Sequence, residues 1–261
     1  MSFTEAQPSP DVFEGGGVQI AYDRTQCLPP DMAGVAMGAE AAQVVKYVRI
    51  GEPEVAVSVL ELGTGSGVCL TSLLRRVESQ KDVQVTGLDI SPDAVDATLH
   101  NLAGVTRSEE SPTVDVFVGD WYDEYVWAKL SERRYDAIMC NPPYLAPGTP
   151  LMDGYETVPH SAVYAEGDGL GHHRFLMPRL LGLLSVRQGA TLITRFHSTF
   201  NNAHDESRAI DKVVCEAVEA SPPISDLSIV RRHLALVGPG RNMATVSISR
   251  SDTVAPPHLY V

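Results

Sequence analysis

Apolar residues along the chain follow two alternating patterns. Short, β-branched and almost wholly apolar runs, as expected of strands covered on both faces, lie at residues 54–62, 83–90, 113–120, 135–140 and 190–196. Segments with helical composition or periodicity lie before and between them, at residues 35–49, 68–78, 92–103, 170–187 and 205–220. Two more strand-like runs follow one another at the end, at 227–237 and 243–250, and a short one occupies 17–23.

This alternation of strands and helices determines the predicted fold class. Crossover connections between successive strands give a parallel sheet with helices on both faces. The last two strands are joined through Gly238-Pro239-Gly240, which is too short for a crossover, so we expect the last strand to run antiparallel. The prediction is an α/β fold with a seven-stranded, mostly parallel sheet. Its parts are a disordered tail (1–11), an N-terminal strand and helix extension (12–52), the α/β domain (53–250) and a C-terminal tail (251–261).

Composition and charge narrow the class of protein. The chain has 261 residues, of which 44% are hydrophobic and 20% charged, as in soluble globular proteins. No apolar run approaches the ~20 residues that cross a bilayer, and the N-terminus lacks the features of a signal peptide. The four cysteines are scattered without a CxxC pair, so we predict neither a zinc site nor disulfides, and expect a reducing cytoplasm. The net charge of −13 disfavours nucleic-acid binding.

A glycine-rich turn follows the first long strand, with Gly63, Gly65 and Gly67 in "LELGTGSGV". Glycines let the backbone turn sharply and approach a ligand closely, although a tight turn without a ligand has the same composition. Glu61 would repel a pyrophosphate but can accept a hydrogen bond from a cationic amino group. Asp89 ends the second strand, where an acid can accept hydrogen bonds from ribose hydroxyls. The turn and the two acids together indicate a cofactor site.

Four motifs carry a resemblance to a known family. In chain order they are "VLELGTGSGV", "GLDIS", "VGDWYD" and "DAIMCNPPYL". Together they resemble the motifs of class I S-adenosylmethionine-dependent methyltransferases, which implies a Rossmann-like fold and S-adenosyl-L-methionine as the cofactor. The NPPY tetrapeptide is similar to that of family members that methylate nitrogen.

Two further segments resemble one group within this family. "VPHSAVYAEGDGLGHHRFL" and "GPGRNMATVSI" are similar to the segment after NPPY and to the closing hairpin of the HemK/PrmC group. That group methylates a glutamine side-chain amide in peptide-chain release factors. The resemblance spans residues 12–250 and implies an N-methyltransferase.

The resemblance implies cofactor-binding roles for the residues that match these motifs. The three glycines would wrap the methionine part of the cofactor. Asp89 would bind the ribose hydroxyls, with Ile90 against the adenine. Asp120 would accept from the adenine amino group, and Trp121 would supply apolar contact, although an ordinary core aromatic fits this position nearly as well.

The NPPY tetrapeptide, at residues 141–144, suits the chemistry of an amide acceptor. The side-chain carbonyl of Asn141 and the backbone carbonyl of Pro142 would accept both N–H groups of an acceptor nitrogen and fix its orientation. Tyr144 would stack on the flat acceptor group and face the sulfonium. Pro143 and His197 complete the expected acceptor site, which the extension would cover. The competing interpretation is a rigid proline turn with a buried tyrosine.

Departures from the group leave the acceptor open. The residues before position 53 are too few for the helical substrate-recognition domain of bacterial release-factor enzymes. "LPPDMAG" is all that matches their proline-rich entry motif, and Leu145 replaces the usual Ile or Val. The acceptor is therefore a protein glutamine or a small amine, amide or guanidine metabolite, and a partner subunit or a homodimer is open. DNA or RNA adenine methylation uses the same tetrapeptide, but the acidic charge argues against it.

Two other classes of function compete with an N-methyltransferase. One is a cofactor-binding partner subunit without catalysis, which the intact NPPY disfavours. The other is a nicotinamide-dependent oxidoreductase, which the GxGxG spacing and Glu61 disfavour. His172-His173 lack the i, i+4 spacing of a helical metal pair, so we expect solvated helix positions there and no metal.

Overall fold

Nine strands and six α-helices are present in the described part of the chain. The computed structural model describes residues 10–77, 80–106, 111–151, 153–198, 203–221, 227–234 and 242–250. The strands are β1 (Asp11–Gly15), β2 (Val18–Tyr22), β3 (Val57–Leu62), β4 (Val83–Asp89), β5 (Thr113–Val118), β6 (Ala137–Cys140), β7 (Thr191–Ser198), β8 (Leu227–Leu234) and β9 (Asn242–Arg250). The helices are α1 (Met32–Gly51), α2 (Val68–Val77), α3 (Pro92–Leu102), α4 (Glu124–Leu130), α5 (Gly171–Leu183) and α6 (Ala203–Ala220).

The central sheet has seven strands in the order β5-β4-β3-β6-β7-β9-β8. The pairs from β5 to β7 are parallel, and β9 pairs antiparallel with both β7 and β8. The predicted α/β fold, with one antiparallel strand at the end of the chain, is confirmed. The Gly238-Pro239-Gly240 turn and the C-terminal tail lie outside the described residues, as do residues 1–9.

Helices cover both faces of this sheet, as the sequence predicts. Apolar residues of α4, α5 and α6 bury one face of the sheet, together with Leu60, Ile138 and Leu192. Apolar residues of α1, α2 and α3 bury the other face, together with Val59 and Met139. Strand residues therefore alternate between two cores, as they must in a sheet covered on both sides.

The N-terminal extension differs from its prediction in having two strands before the helix. β1 and β2 form an antiparallel hairpin, with Asp11 opposite Tyr22, through the two-residue turn Gly16-Gly17. Both glycines have positive φ, at 57° and 81°, as such a tight hairpin requires. β1 was not predicted from the sequence because it is short, mostly exposed and contains only two apolar residues, Val12 and Phe13.

Two further departures concern short or capped helices. The prediction left α4 out because its seven residues are too few for a clear period, although Asp123 caps it by accepting from the Tyr125 N–H. α1 begins three residues earlier than predicted, because Asp31 caps it by accepting from the Gly34 N–H at 2.7 Å.

The loop over residues 146–169 folds back onto the end of β6. The Leu145 N–H donates to the Val163 carbonyl at 3.0 Å, and the Ala165 N–H donates to the Leu145 carbonyl at 2.9 Å. Within the loop, a short 3₁₀ helix spans His160–Ala162. In the described ranges no helix combines the length and the apolar character that a membrane crossing needs.

Candidate active site

A cleft opens at the carboxyl ends of β3, β4, β6 and β7, where open α/β sheets bind their ligands. The glycine-rich turn, the residues after β4 and Trp121 line one half. The other half is lined by the segment before α1, the start of NPPY, the 3₁₀ helix of the long loop and Arg195. Of the predicted site residues, the cleft lining includes Glu61, Gly63, Gly65, Asp89, Ile90, Trp121, Asn141 and Pro143.

The glycine-rich turn is a backbone cradle that needs its glycines. Gly63, Gly65 and Gly67 have φ values of +74°, +52° and +76°, which residues other than glycine rarely adopt. A Cβ on Gly67 would lie 3.0 Å from the Cα of Thr98, whereas a Cβ on Gly65 would meet nothing within 4 Å. Gly67 therefore sets the packing of the turn against α3, and the backbone at Gly65 faces open space in the cleft.

Asp89 braces this turn from the end of β4. Its Oδ2 accepts from the Gly65 N–H at 2.9 Å, and its Oδ1 accepts from the Ser91 N–H at 3.0 Å. Burial raises the pKa of Asp89 against the opposing effect of these hydrogen bonds. A carboxylate has about four lone-pair sites, so two N–H donors leave it able to accept from ribose hydroxyls as well.

Glu61 is a buried carboxyl group at the floor of the cleft. Its side chain is 3% exposed, and its Oε2 has no hydrogen-bond partner among the described residues. Burial raises the pKa of Glu61 to about 8 and the charge of Asp89 adds to this, against hydrogen bonds from the Cys69 thiol and the Leu70 N–H. A cationic amino group in the cleft would supply the missing partner, so this carboxyl group fits the methionine part of the cofactor.

The end of the cleft at Ile90 and Trp121, where the sequence predicts the adenine, presents an apolar surface. Ile90 is 58% exposed, which is unusual for isoleucine, and it lies next to Asp89. The Trp121 ring lies 3.6 Å from where a Cβ on Gly63 would be. The backbone carbonyl of Trp121 accepts from the Trp127 indole N–H at 2.6 Å. Asp120 lies outside the cleft lining, where its Oδ1 accepts from the Tyr122 N–H at 2.8 Å.

NPPY leaves β6 at the other half of the cleft. The Oδ1 of Asn141 is buried and accepts no hydrogen bond from the described part of the protein. Pro143 lines the cleft, while Pro142 is buried and Tyr144 half-buried outside the lining. The long loop holds Tyr144, because the Tyr144 N–H donates to the Val163 carbonyl at 3.2 Å. NPPY therefore presents an unused amide oxygen to the cleft from a fixed backbone.

The sequence analysis missed an ion pair in the cleft wall. The two terminal nitrogens of Arg195, on β7, each lie 3.2 Å from one carboxylate oxygen of Asp31. Arg195 is 1% exposed. The signal was an arginine inside the apolar run "ATLITRF", which needs a buried partner. His197 was selected instead; its backbone pairs with Met243 in the sheet, and its side chain lies outside the described part.

The two adjacent histidines of α5 are placed differently from the expectation. The His172 ring is half-buried, with Nδ1 2.9 Å from the Tyr122 hydroxyl and an edge contact to Trp121. His173 is buried, stacks on Phe196 at 4.0 Å between centroids and has Nε2 2.7 Å from the Arg195 carbonyl. The expectation of solvated positions is wrong, because α5 packs this part of its surface onto β7.

The chain is similar in sequence to known methyltransferases. Residues 59–149 match the family "Methyltransferase domain". A "Bifunctional methyltransferase" of Rickettsia typhi is 33% identical over 219 residues, which are 78% of this chain and 38% of that protein. A "Release factor glutamine methyltransferase" of Streptococcus pneumoniae is 30% identical over 140 residues, covering 52% of this chain and 44% of that protein. The chain thus spans less than half the length of either relative.

Solved structures agree on the fold. The crystal structure of a "SAM Dependent Methyltransferase" from Agrobacterium tumefaciens superposes with a TM-score of 0.55 at 14% identity, covering 95% of this chain and 72% of that one. At this identity the likeness speaks for the fold alone. The matched family segment, residues 59–149, contains the glycine-rich turn, Asp89 and NPPY.

Proposed function

Since the chain contains a class I S-adenosylmethionine-dependent methyltransferase domain, we propose that it transfers the methyl group to an amide or amino nitrogen. The observation that carries this proposal is the buried Oδ1 of Asn141, which has no hydrogen-bond partner among the described residues and lies in the same cleft as the glycine-rich turn. Burying an amide oxygen without a partner costs free energy, so a ligand N–H donor is the natural occupant.

S-adenosyl-L-methionine is the cofactor of this domain and supplies a methyl group activated by the sulfonium. The residues that would hold it fit its parts. The carboxyl group of Glu61 suits the amino group and Asp89 suits the ribose hydroxyls. Ile90 and Trp121 suit the adenine ring, and we propose that Asp120 accepts from the adenine amino group.

NPPY would hold the acceptor nitrogen for an in-line displacement. An amide lone pair is delocalised into its carbonyl, so the nitrogen must be oriented rather than simply deprotonated. Asn141 Oδ1 and the Pro142 carbonyl would each accept one N–H of the acceptor. These hydrogen bonds stabilise the positive charge that develops on the nitrogen as the new bond forms. Tyr144 and Pro143 would cover the flat acceptor group. The bond from sulfur to the methyl carbon would break as the nitrogen–carbon bond forms, leaving S-adenosyl-L-homocysteine, and one acceptor proton would leave to solvent.

The preferred acceptor is a glutamine side chain of a protein such as a release factor. The similarity to a release factor glutamine methyltransferase of Streptococcus pneumoniae supports this acceptor. A small amine, amide or guanidine metabolite is the alternative, because Leu145 and the short "LPPDMAG" segment depart from the motifs of the release-factor enzymes. A nucleic-acid acceptor is disfavoured by the net charge of −13 and because Arg195, the one cation among the described lining residues, is paired with Asp31. We place the protein in the cytoplasm, with a partner subunit or a homodimer left open.

The test is transfer of isotope-labelled methyl from the cofactor to purified release factor or to a metabolite extract, read by mass spectrometry. Asn141→Ala should bind the cofactor as the wild type does and lose at least about a hundredfold in turnover, because the orienting acceptor is gone. Asp89→Ala should weaken cofactor binding first. Tyr125→Phe, on a ring that is 77% exposed, is the control for an innocuous change. Undiminished turnover in Asn141→Ala would refute the proposal.

A further inference from the structure

The ion pair of Asp31 and Arg195 lies at the NPPY half of the cleft and joins two distant parts of the chain. Asp31 caps α1, its Oδ1 accepting from the Gly34 N–H at 2.7 Å, and both of its oxygens also face Arg195 at 3.2 Å. The Arg195 side chain is 2% exposed, whereas that of Asp31 is 40% exposed. The pair thus fixes the start of the helix that covers this half of the cleft.

The register of the sheet places Arg195 next to NPPY. Cys140 pairs with Thr194 in the parallel β6–β7 ladder, so the residues that follow these two, Asn141 and Arg195, lie side by side. Glu61 pairs with Met139 in the β3–β6 ladder. Because side chains alternate between the faces of a sheet, Glu61, Asn141 and Arg195 point to the same face, and all three line the cleft.

Charge in the cleft is unevenly distributed. The titratable acids that line it are Asp31, Glu61 and Asp89, and the only base among the described lining residues is Arg195. Burial alone would lower the pKa of Arg195, but the Asp31 carboxylate and the Tyr144 phenol outweigh it and raise that pKa. The guanidinium is therefore a permanent buried cation, and the Asp31 carboxylate contributes a compensating negative charge at 3.2 Å.

We propose that Asp31 and Arg195 are a positioning pair in which Asp31 cancels the charge of Arg195, so that Arg195 can fix α1 and NPPY without repelling the sulfonium. This inference rests on the proposed function, because it places the sulfonium in the same cleft, on the side of Asn141. An uncompensated guanidinium there would oppose both the positive sulfur and the positive charge that develops on the acceptor nitrogen.

The cofactor and its product give a direct test of this electrostatic role. S-adenosyl-L-homocysteine has the same parts except the methyl group and the positive charge on sulfur. Asp31→Asn should remove the negative charge that faces the guanidinium and weaken binding of S-adenosyl-L-methionine about tenfold more than binding of S-adenosyl-L-homocysteine. Arg195→Met should cause no such selective loss, and the double variant should return the ratio of the two dissociation constants to the wild-type value.

Both dissociation constants are measured by titration calorimetry and by Trp121 fluorescence, Trp121 being the one of the two tryptophans that lines the cleft. Asp31→Ser is the second variant, because serine keeps the helix cap and removes the charge. Asp168→Asn is the matched control, since Asp168 also binds an arginine, Arg174, through both oxygens but lies outside the cleft lining.

The outcomes separate this inference from the proposed function. A selective loss for the sulfonium in both Asp31 variants, reversed by Arg195→Met, supports the pair. Equal weakening of both ligands, as a lost helix cap alone would cause, overturns it, and so does a selective loss in Arg195→Met or in Asp168→Asn. A wild-type protein that binds neither ligand overturns the proposed function itself.

Discussion

Cofactor affinity should depend steeply on pH because of Glu61. The pKa of this buried carboxyl group is about 8, so near pH 7 about one molecule in ten carries the carboxylate that a cationic amino group needs. The apparent dissociation constant should therefore fall about tenfold per pH unit between pH 6 and pH 7.5. Above about pH 8 the amino group of the ligand loses its own proton, so affinity should pass through a maximum.

The perturbation is Glu61→Gln, which keeps the shape of the side chain and removes its titration. In this variant the affinity for S-adenosyl-L-methionine should change little between pH 6 and pH 7.5. The charged and titratable groups around Glu61 are Asp89, Cys69 and Cys140, and burial raises the pKa of each. Asp89→Asn is therefore the control for the other acid near the cofactor.

The assay is titration calorimetry in buffers of different ionisation enthalpy, which counts the protons released on binding. At pH 7 the wild type should release close to one proton per cofactor bound, because about nine in ten Glu61 side chains begin protonated. 5′-Methylthioadenosine, which lacks the amino-acid part, should bind without this proton release. A wild-type affinity that is flat from pH 6 to pH 8, or a slope that survives in Glu61→Gln, would refute the reasoning.

Two further predictions concern the stability of the fold. Gly67→Ala should lower the free energy of unfolding by about 1–3 kcal/mol, because of the positive φ and the approach to Thr98. At Gly104 an added Cβ would lie 3.8 Å from its nearest described neighbour, so Gly104→Ala should change the free energy of unfolding little. Urea denaturation of the two variants checks both expectations. Burial lowers the pKa of His173 to about 4, so the unfolded chain takes up a proton first as the pH falls. The free energy of unfolding should drop by up to about 3 kcal/mol from pH 7 to pH 4. His173→Gln should remove that dependence, and an unchanged slope would show that another group causes it.

The sequence by itself predicted the order of the elements, apart from β1 and α4, and several residues that line one half of the cleft. Strands that are covered on both faces appear in the sequence as continuous apolar runs, and a short connection makes the last strand antiparallel. The positions of the strands and the direction of the last one are therefore local properties of the chain. Of the predicted residues, Glu61, Gly63, Gly65, Asp89 and Ile90 line the cleft, because each stands at the end of a strand or shortly after it and parallel strands bring such ends to one edge.

Only the tertiary structure decided which polar groups lack partners and which distant charges meet. Asp31 and Arg195 are 164 residues apart, and no local pattern joins them. The burial of His173 depends on how α5 lies on β7. Whether Glu61 Oε2 and Asn141 Oδ1 find partners depends on every neighbour in the cleft, and among the described residues neither does. Backbone preference and hydrophobic period act over a few residues, whereas pairing, burial and pKa depend on contacts between elements that are far apart in the chain.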